Sequence, residues 1–186
     1  MTETDSALVA RVLGGEVAAY DALVRRHFRM AFAVARAHST SHADAEDVCQ
    51  DAFLRAYERL RECAQPDRFA AWLMRIVRNQ SINAREHHER RRGETLSGLE
   101  PADTASPADQ FARHELQREL SAAVRTLSPV QREVLLLHDL EQGTHAQIAQ
   151  LLGISEFMSR RHLSDARRKL RLVLQRDPAG GTHNAG

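Results

Sequence analysis

The sequence predicts an all-α protein whose helices form two small domains. Leu, Ala, Arg and Glu dominate the composition, and Gly and Pro are few outside two stretches, as is typical of helical proteins. Apolar residues recur at spacings of three and four along most of the chain. A segment without this periodicity, residues 93–109, divides a chain of 186 residues, a length that permits one ordinary domain or two small ones.

The first helical region spans residues 1–92. Its opening helical pattern is interrupted at Gly14 and Gly15. Ser41 is the expected N-cap of the next helix, with Asp44 at the position that completes a capping box. That helix carries apolar residues on one face and acidic residues on the other.

A loop and a third strong helix complete this region. Pro66 breaks the periodicity within "RECAQPDR", residues 61–68, which we predict to be a loop. The next helix has an apolar stripe that contains Trp72. We interpret Trp72 as a core residue because it lies within that stripe.

The second region, residues 110–176, is predicted to contain four helices, at about 110–125, 129–139, 145–152 and 155–174. Two capping boxes mark helix starts: Ser128 with Gln131, and Thr144 with Gln147. Residues 93–109 contain four acidic residues and no basic residue, which predicts an acidic, flexible linker. Residues 177–186 are predicted to be a disordered tail.

Charge is segregated along the chain, although the formal net charge is only +1. Between Arg160 and Arg176 there are seven basic residues and one acidic residue. Between Asp44 and Asp51 there are four acidic residues and no basic residue. This segregation indicates two different partners.

The stretch "THAQIAQLLGISEFMSRRHL" fits a helix-turn-helix, with small Ala149 where two helices meet and Gly153 at the turn, where a positive φ costs little. The second helix of such a motif enters the major groove, where arginine can bond guanine. The front residues are expected to face base edges: Ser155, Glu156, Phe157, Arg160, Arg161 and Ser164. The rear residues are expected to contact phosphates: Arg167, Arg168 and Arg171. The alternative is an ordinary solvated amphipathic helix.

Three blocks of the chain resemble extracytoplasmic-function sigma factors, a compact class of bacterial initiation factors. "DAEDVCQDAFLRAYERL" resembles the helix that grips core RNA polymerase, and "RFAAWLMRIVRNQSINAREHHERRR" resembles the helix that recognises and opens the −10 element. "LSPVQREVLLLHDLEQGTHAQIAQLLGIS", with "ARRKLR" after it, resembles the domain that binds the −35 element. The resemblance covers residues 7–172 in the expected order. It implies an alternative sigma factor with a region 2 domain at 1–92 and a region 4 domain at 110–176.

The resemblance also implies roles for individual residues. Those that match the core-polymerase contact are Asp44, Glu46, Asp47, Gln50 and Asp51. Those expected to bind the −10 element are Arg61, Cys63, Gln65, Asp67, Arg68, Arg75, Arg78, Asn79, Asn83 and Arg85. In the family, the loop before the third helix captures bases flipped from the non-template strand. For the acidic residues, the alternative is stabilisation of the helix N-terminus through its dipole, which fits Asp44 and Glu46 better than Asp51.

The implied partners are core RNA polymerase, promoter DNA and an anti-sigma factor, which in this family is frequently membrane-bound. No cofactor and no metal site are expected. The opening "MTETDSALVA" has no signal-peptide pattern, and no apolar run approaches membrane length, so we expect a cytoplasmic protein without membrane insertion.

Some positions depart from the family pattern. Asn83 stands where an acid is usual, and His145 stands where an aromatic residue is common. Phe157, Met158 and Ser159 replace a frequent Gly-Thr-Val. Ser159 thus occupies a slot that usually buries a branched apolar side chain, at a cost of about 1–3 kcal/mol unless the hydroxyl is hydrogen-bonded. Met158 can fill the gap. Two registers stay open: Phe157 faces the groove, or the helix is rotated to bury it.

A stand-alone helix-turn-helix regulator and an enzyme are the alternative classes. A regulator needs neither the acidic helix nor the Trp72 block. The ten histidines are scattered, and His87-His88 has no acid or cysteine at ligand spacing, so an enzyme is disfavoured. Cys49 is expected to be a core thiol. Cys63 could be exposed in its loop, and a redox role for it is a hypothesis.

Overall fold

The computed structural model describes residues 3–39, 41–92, 120 and 122–174, and no strand occurs among them. The first region contains helices α1 (Asp5–Leu13), α2 (Ala18–His38), α3 (His42–Glu58) and α4 (Phe69–Arg92). The second contains α5 (Pro129–Asp139), α6 (His145–Leu152) and α7 (Glu156–Leu174). The all-α prediction is confirmed. The predicted linker and tail, and most of the helix predicted at 110–125, lie outside the described residues.

Local sequence signals fix where the helices begin. The capping boxes predicted at Ser41, Ser128 and Thr144 are all present, each with reciprocal hydrogen bonds to the residue three positions later. Such boxes satisfy backbone N–H groups that a helix start leaves without partners. α1 and α2 are separated at the predicted glycine pair, where Gly15 has a φ of 100°.

The core of the first region lies where α2, α3 and α4 pack together. Leu23, Cys49 and Phe69 are fully buried there, so the prediction of a core thiol at Cys49 is confirmed. The Tyr20 hydroxyl donates a 2.6 Å hydrogen bond to the carbonyl of Phe53, which joins α2 to α3. Trp72 is partly buried against this core, as predicted.

The segment predicted as a loop is more regular than expected. Two short 3₁₀ turns, Leu60–Glu62 and Pro66–Arg68, flank Cys63 and connect α3 to α4. Pro66 opens the second turn, where its missing N–H leaves no helical hydrogen bond unmade.

The second region packs α5, α6 and α7 around an aliphatic centre that includes Val134, Leu137, Ile148 and Leu163. The two regions also contact each other, since α2 packs against α5 and α4 against α6. Within the described part of the chain, no helix is long and apolar enough to cross a membrane.

Candidate functional site

The acidic residues predicted to contact a partner lie on an exposed face of α3. Glu46, Asp47, Gln50 and Asp51 are exposed, whereas Asp44 is half-buried and completes the capping box with Ser41. Glu46, Asp47, Gln50 and Asp51 are therefore available to a partner. Asp44 has a structural role as part of the capping box.

This acidic face contains an apolar residue that sequence reasoning missed. Leu54 is 64% exposed and follows Asp47 by seven positions and Asp51 by three, which places all three on one side of α3. An exposed leucine bordered by carboxylates has the composition of an interface core with a polar rim. The sequence alone could have shown this, because Leu54 is an apolar residue that does not fall on the buried face of the helix.

Most residues predicted to bind the −10 element are exposed: Arg61, Gln65, Asp67, Arg68, Arg75, Asn79, Asn83 and Arg85. Arg75, Asn79 and Asn83 repeat every four positions along α4, and so form one continuous strip. The other residues near the start of α4 lie in or beside its two preceding 3₁₀ turns: Arg61, Gln65, Asp67 and Arg68. The fold therefore brings the turn residues and the α4 strip to neighbouring positions.

Cys63 is buried, although the sequence suggested that it could be exposed in a loop. Only 7% of its surface is accessible, and its thiol donates a 3.7 Å hydrogen bond to the carbonyl of Gln65. Burial raises the pKa of the Cys63 thiol. A buried, protonated thiol is a poor nucleophile and a poor contact for DNA, so the structure favours a packing role.

Arg78, also predicted to bind DNA, is engaged within the protein. Its guanidinium donates two hydrogen bonds to Glu133 on α5, from Nε at 2.8 Å and from Nη2 at 3.0 Å. His38 at the end of α2 lies against the same carboxylate, with Nε2 2.8 Å from Oε1. We call His38, Arg78 and Glu133 the inter-region cluster, because it joins two helices of the first region to one of the second.

The inter-region cluster holds a carboxylate that is fully removed from water. Glu133 has 0% exposure, and burial by itself would raise its pKa. Hydrogen bonds from His38 and Arg78 and their charges outweigh burial, so that the pKa of Glu133 lies below its ordinary value. A buried carboxylate is tolerated when it is paired and hydrogen-bonded in this way.

The helix-turn-helix has the predicted geometry. α6 ends at Gly153, which has a φ of 68°, a conformation that other residues adopt at a cost. Ser155 follows the turn, and its hydroxyl accepts a 3.2 Å hydrogen bond from the backbone N–H of Met158. Ser155 thus caps α7, which limits its freedom to act as a base contact.

All nine residues predicted to contact DNA from this motif are exposed. Phe157 is the most prominent, at 69% exposure. The register in which Phe157 faces outward is therefore the one that the structure adopts, and the register that buries it is not.

Several arginines of α7 are held by acidic neighbours. Arg160 lies 3.2 Å from Glu156, and Arg168 lies 2.8 Å from Asp165. These exposed pairs along one helix are weak and exchange readily with other anions. Arg167 instead reaches Asp139 on α5, with Nη2 2.5 Å from Oδ1.

Ser159 is the buried polar residue that the sequence marked as costly. It has 0% exposure, and its Oγ lies 2.9 Å from Nδ1 of His145 on α6. The hydrogen bond satisfies the hydroxyl, so the expected penalty is offset. Sequence reasoning noted both residues as departures and did not pair them. The signal was that a polar residue replaced an apolar one on each of two helices that pack together.

No group of His, Cys, Asp and Glu within the described residues is arranged to hold a metal ion. The candidate sites are therefore the exposed acidic face of α3, the strip on α4 and the basic helix α7.

The chain matches two family models in this order: sigma-70 region 2 at residues 23–91 and sigma-70 region 4 at residues 117–170. RNA polymerase sigma factor CnrH of Cupriavidus metallidurans is 31% identical over 186 residues, covering 94% of this chain and 96% of CnrH. The ECF RNA polymerase sigma factor SigM of Mycobacterium tuberculosis is 29% identical, covering 92% of this chain and 85% of SigM.

A third relative is longer. The probable RNA polymerase sigma factor RfaY of Xanthomonas campestris is 37% identical over 162 residues, which cover 82% of this chain and 40% of RfaY. The chain therefore spans less than half the length of that relative.

Solved structures agree with the sequence relatives. The structure of CnrH in complex with the cytosolic domain of CnrY matches with a TM-score of 0.68 and 28% identity, covering 94% of this chain and 99% of that one. The sigma factor RpoE of Bartonella quintana, solved with the anti-sigma factor NepR, shares the fold with a TM-score of 0.57 and 22% identity, over 85% of this chain and 98% of that one. The chain belongs to the extracytoplasmic-function RNA polymerase sigma factors, the alternative sigma factors that direct transcription initiation.

Proposed function

We propose that residues 1–92 form the domain that binds core RNA polymerase and the −10 element, and that residues 110–176 form the domain that binds the −35 element. The observation that carries this proposal is the separation of surfaces. Carboxylates cover α3 and arginines cover α7, and opposite charges suit opposite partners.

The acidic face of α3 is the proposed polymerase contact. Asp47 and Asp51 are exposed on either side of a helical turn, where they can pair with arginine or lysine of a partner. Charge complementarity of this kind sets orientation and association rate more than affinity. Leu54, between them and the end of the helix, supplies apolar area that adds affinity.

The strip on α4 and the turns before it are the proposed −10 contact. Asn79 presents an amide that can both donate to and accept from a base edge, and Arg75 and Arg85 present charge to phosphates. Arg61, Gln65, Asp67 and Arg68 surround the place where flipped bases are expected. Such a mechanism needs no nucleotide hydrolysis, and we propose no catalytic activity for the chain.

The front of α7 is the proposed −35 contact. Phe157, Arg160 and Arg161 project from the turn of a helix-turn-helix that can enter the major groove. Arg160 and Arg161 can bond guanine, and Phe157 can contact a thymine methyl. Arg168 and Arg171 are placed further along the helix, where they suit phosphates.

Binding both elements requires the two regions to separate. The element names place their centres about 25 base pairs apart, or about 85 Å at 3.4 Å per base pair. A compact chain of this length has a radius of gyration of only about 16 Å. We therefore assign the arrangement joined by the inter-region cluster to a form that is not bound across a promoter.

An anti-sigma protein is a further proposed partner. CnrH was solved with the cytosolic domain of CnrY, and RpoE with the anti-sigma factor NepR. A partner of this class would hold the chain away from polymerase. Since core polymerase and promoter DNA are the other proposed partners, we propose that the chain acts in the cytoplasm.

The test is run-off transcription with purified core RNA polymerase on a genomic library. We expect transcripts that start downstream of one shared two-part motif. If the full-length chain instead binds duplex DNA tightly alone and fails to bind core polymerase, it acts as a stand-alone regulator and the proposal is wrong.

Two arginine variants separate base reading from charge. Arg160→Ala is expected to lose about 1–3 kcal/mol of binding in a sequence-dependent way. Arg171→Ala should weaken all duplexes about equally and reduce the salt dependence of binding. Equal, sequence-independent losses from both variants would contradict the assigned register of α7.

A further inference from the structure

The packed face of α7 is apolar except at its front. The helix buries Ser159, Leu163 and Ala166, which follow the spacing of four and three expected for one face. Leu163 and Ala166 hold the middle of the helix by apolar contact. At the front turn the buried residue is a serine, so apolar burial does not determine how that turn sits.

Apolar burial alone would favour a different residue at this point. Met158 is adjacent to Ser159, is larger and apolar, and is only half-buried. Burying an apolar side chain is favourable in proportion to the area removed from water, whereas burying a hydroxyl is costly without a partner. Helical spacing from Leu163 and Ala166 brings Ser159 to the packed face, but only a hydrogen-bond partner gives the front turn a preference for burying its hydroxyl.

His145 supplies that preference. Its Nδ1 lies 2.9 Å from the Oγ of Ser159, and its own ring is held in turn. The ring of His138 packs on it with centroids 4.9 Å apart, and Nδ1 of His138 lies 2.9 Å from Asp139. Asp139 also binds Arg167 of α7. Two polar contacts, joined by the ring contact between His138 and His145, thus fasten α7 at its front and again two turns later.

The placement of Ser159 decides which side chains face outward. Successive residues of a helix are turned by about 100°, so the positions close to the direction opposite Ser159 can be counted. They include Phe157, Arg161, Ser164 and Arg168, and all four are exposed. These are residues of the surface proposed to meet the −35 element.

We propose that the His145–Ser159 hydrogen bond is the positioning contact that sets the front turn of α7, and so determines which −35 sequences the protein prefers. The inference rests on the proposed function and deepens it. His145 and Ser159 are positioning residues, because Ser159 is fully buried and His145 acts through its contact with Ser159. Without their bond the front turn is free to shift until Met158 covers the gap, which moves Phe157 and Arg160 relative to the bases.

The test uses full-length protein with core polymerase and a promoter library randomised at −35 around a fixed −10 element. In Ser159→Ala and in His145→Phe, the preference for the best −35 sequence over the median one should fall roughly five- to tenfold, the scale of one lost base contact. The matched control is Ser81→Ala. Ser81 is 2% exposed, and its hydroxyl donates a 2.8 Å hydrogen bond to the carbonyl of Val77 within α4. The Ser81→Ala protein should therefore show the same −35 preference as the wild type.

The double variant His145→Phe with Ser159→Val separates positioning from simple packing. An apolar pair restores contact between α6 and α7, so its melting temperature should return towards that of the wild type. If the polar pair sets the front turn, the double variant will nevertheless rank −35 sequences differently. An unchanged ranking in the single and double variants would show that the pair only stabilises the domain, and would overturn the inference.

A measurement without DNA keeps the inference testable if a variant transcribes poorly. A thiol introduced by Met158→Cys can be labelled in the presence and absence of Ser159→Ala, with Phe157→Cys as the exposed reference. The native Cys49 and Cys63 are buried. The inference predicts that Ser159→Ala slows labelling at position 158 several-fold relative to position 157. Equal relative rates would contradict it.

The two levels of failure are distinguishable. If the wild-type chain directs no transcription with core polymerase, the proposed function is wrong. If the wild type selects a −35 sequence and the variants select the same one, the proposed function stands and only the positioning role is lost.

Discussion

Two buried polar contacts, one inside the helix-turn-helix and one between the two regions, differ in charge and in reach. Ser159 and Glu133 are each fully buried, and each is satisfied by a histidine of another helix. The serine meets His145 across 14 positions of the sequence, and the glutamate meets His38 across 95. The first contact is internal to one domain, and the second exists only while two regions touch.

The difference in charge has a physical consequence. A buried hydroxyl and its partner can be exchanged for apolar groups of similar shape at little cost. A buried carboxylate is stabilised only while its cationic partners stay in place, and removing one partner is strongly destabilising. Losing one partner is therefore milder in the contact within the domain than in the inter-region cluster, where it leaves a charge buried.

The largest expected change in stability follows from substitution of Glu133, which weakens the contact between the two regions. Glu133→Leu removes the hydrogen bonds to both His38 and Arg78 and should weaken the packing of the two regions by about 3 kcal/mol. Small-angle X-ray scattering should then show a larger radius of gyration, with both regions still helical by circular dichroism.

The matched control for that variant is Glu16→Gln. Glu16 pairs with Arg11 on the surface, where both side chains are about half exposed, and exposed pairs contribute little. Its radius of gyration should equal that of the wild type. An equally compact Glu133→Leu protein would show that apolar packing, not the cluster, joins the regions.

A smaller effect is expected in the helix-turn-helix. Ser159→Val leaves Nδ1 of His145 without a buried partner and should lower the free energy of unfolding by about 1–2 kcal/mol. His145→Phe should do the same for the Ser159 hydroxyl. Thermal unfolding should give a double variant that is less destabilised than the sum of the two. Strict additivity would mean that the two side chains do not interact in solution.

The smallest expected effect is the pH dependence of the same contact. Burial lowers the pKa of His145, and the charges of His138, Arg160 and Arg167 lower it further, against an opposing effect of Glu156. Below the ordinary value of 6.5 the unfolded chain binds a proton that the folded chain resists. The contribution is therefore complete above pH 6.5 and is lost as the pH falls below it.

The check on this pH effect is a difference between two proteins. Chemical unfolding between pH 7.5 and roughly 5, the range where histidine titrates, should show a shallower loss of stability in His145→Phe than in the wild type. Because His27 also has a pKa lowered by burial, only the difference between the two slopes is informative. Parallel slopes would exclude His145 as the source.

Features that depend only on residues close together in the sequence were predicted correctly. The capping boxes at Ser41, Ser128 and Thr144 and the turn at Gly153 all appeared where expected, because each depends on residues within four positions. The residues of α7 predicted to face outward are exposed, because helical periodicity places them, and only the choice between the two registers needed the structure.

Contacts between distant residues could not be predicted in the same way. Arg78 was expected to bind DNA, because the resemblance placed it on the helix that meets the −10 element. Its partner Glu133 lies 55 positions away in the sequence. The only indication of this pairing was a charged residue at a position otherwise expected to be apolar. Cys63 was expected in an open loop, but the two 3₁₀ turns around it bury the thiol. Both observations come from packing between elements.

The cluster at Glu133 also bears on what the protein exposes when its regions part. An apolar seam would leave two adhesive surfaces in water, and such surfaces promote aggregation. This seam includes a carboxylate, a guanidinium and an imidazole, and all three are well hydrated once separated. That part of each face therefore adds no apolar surface when the regions part, and the tendency of the open form to aggregate is reduced accordingly.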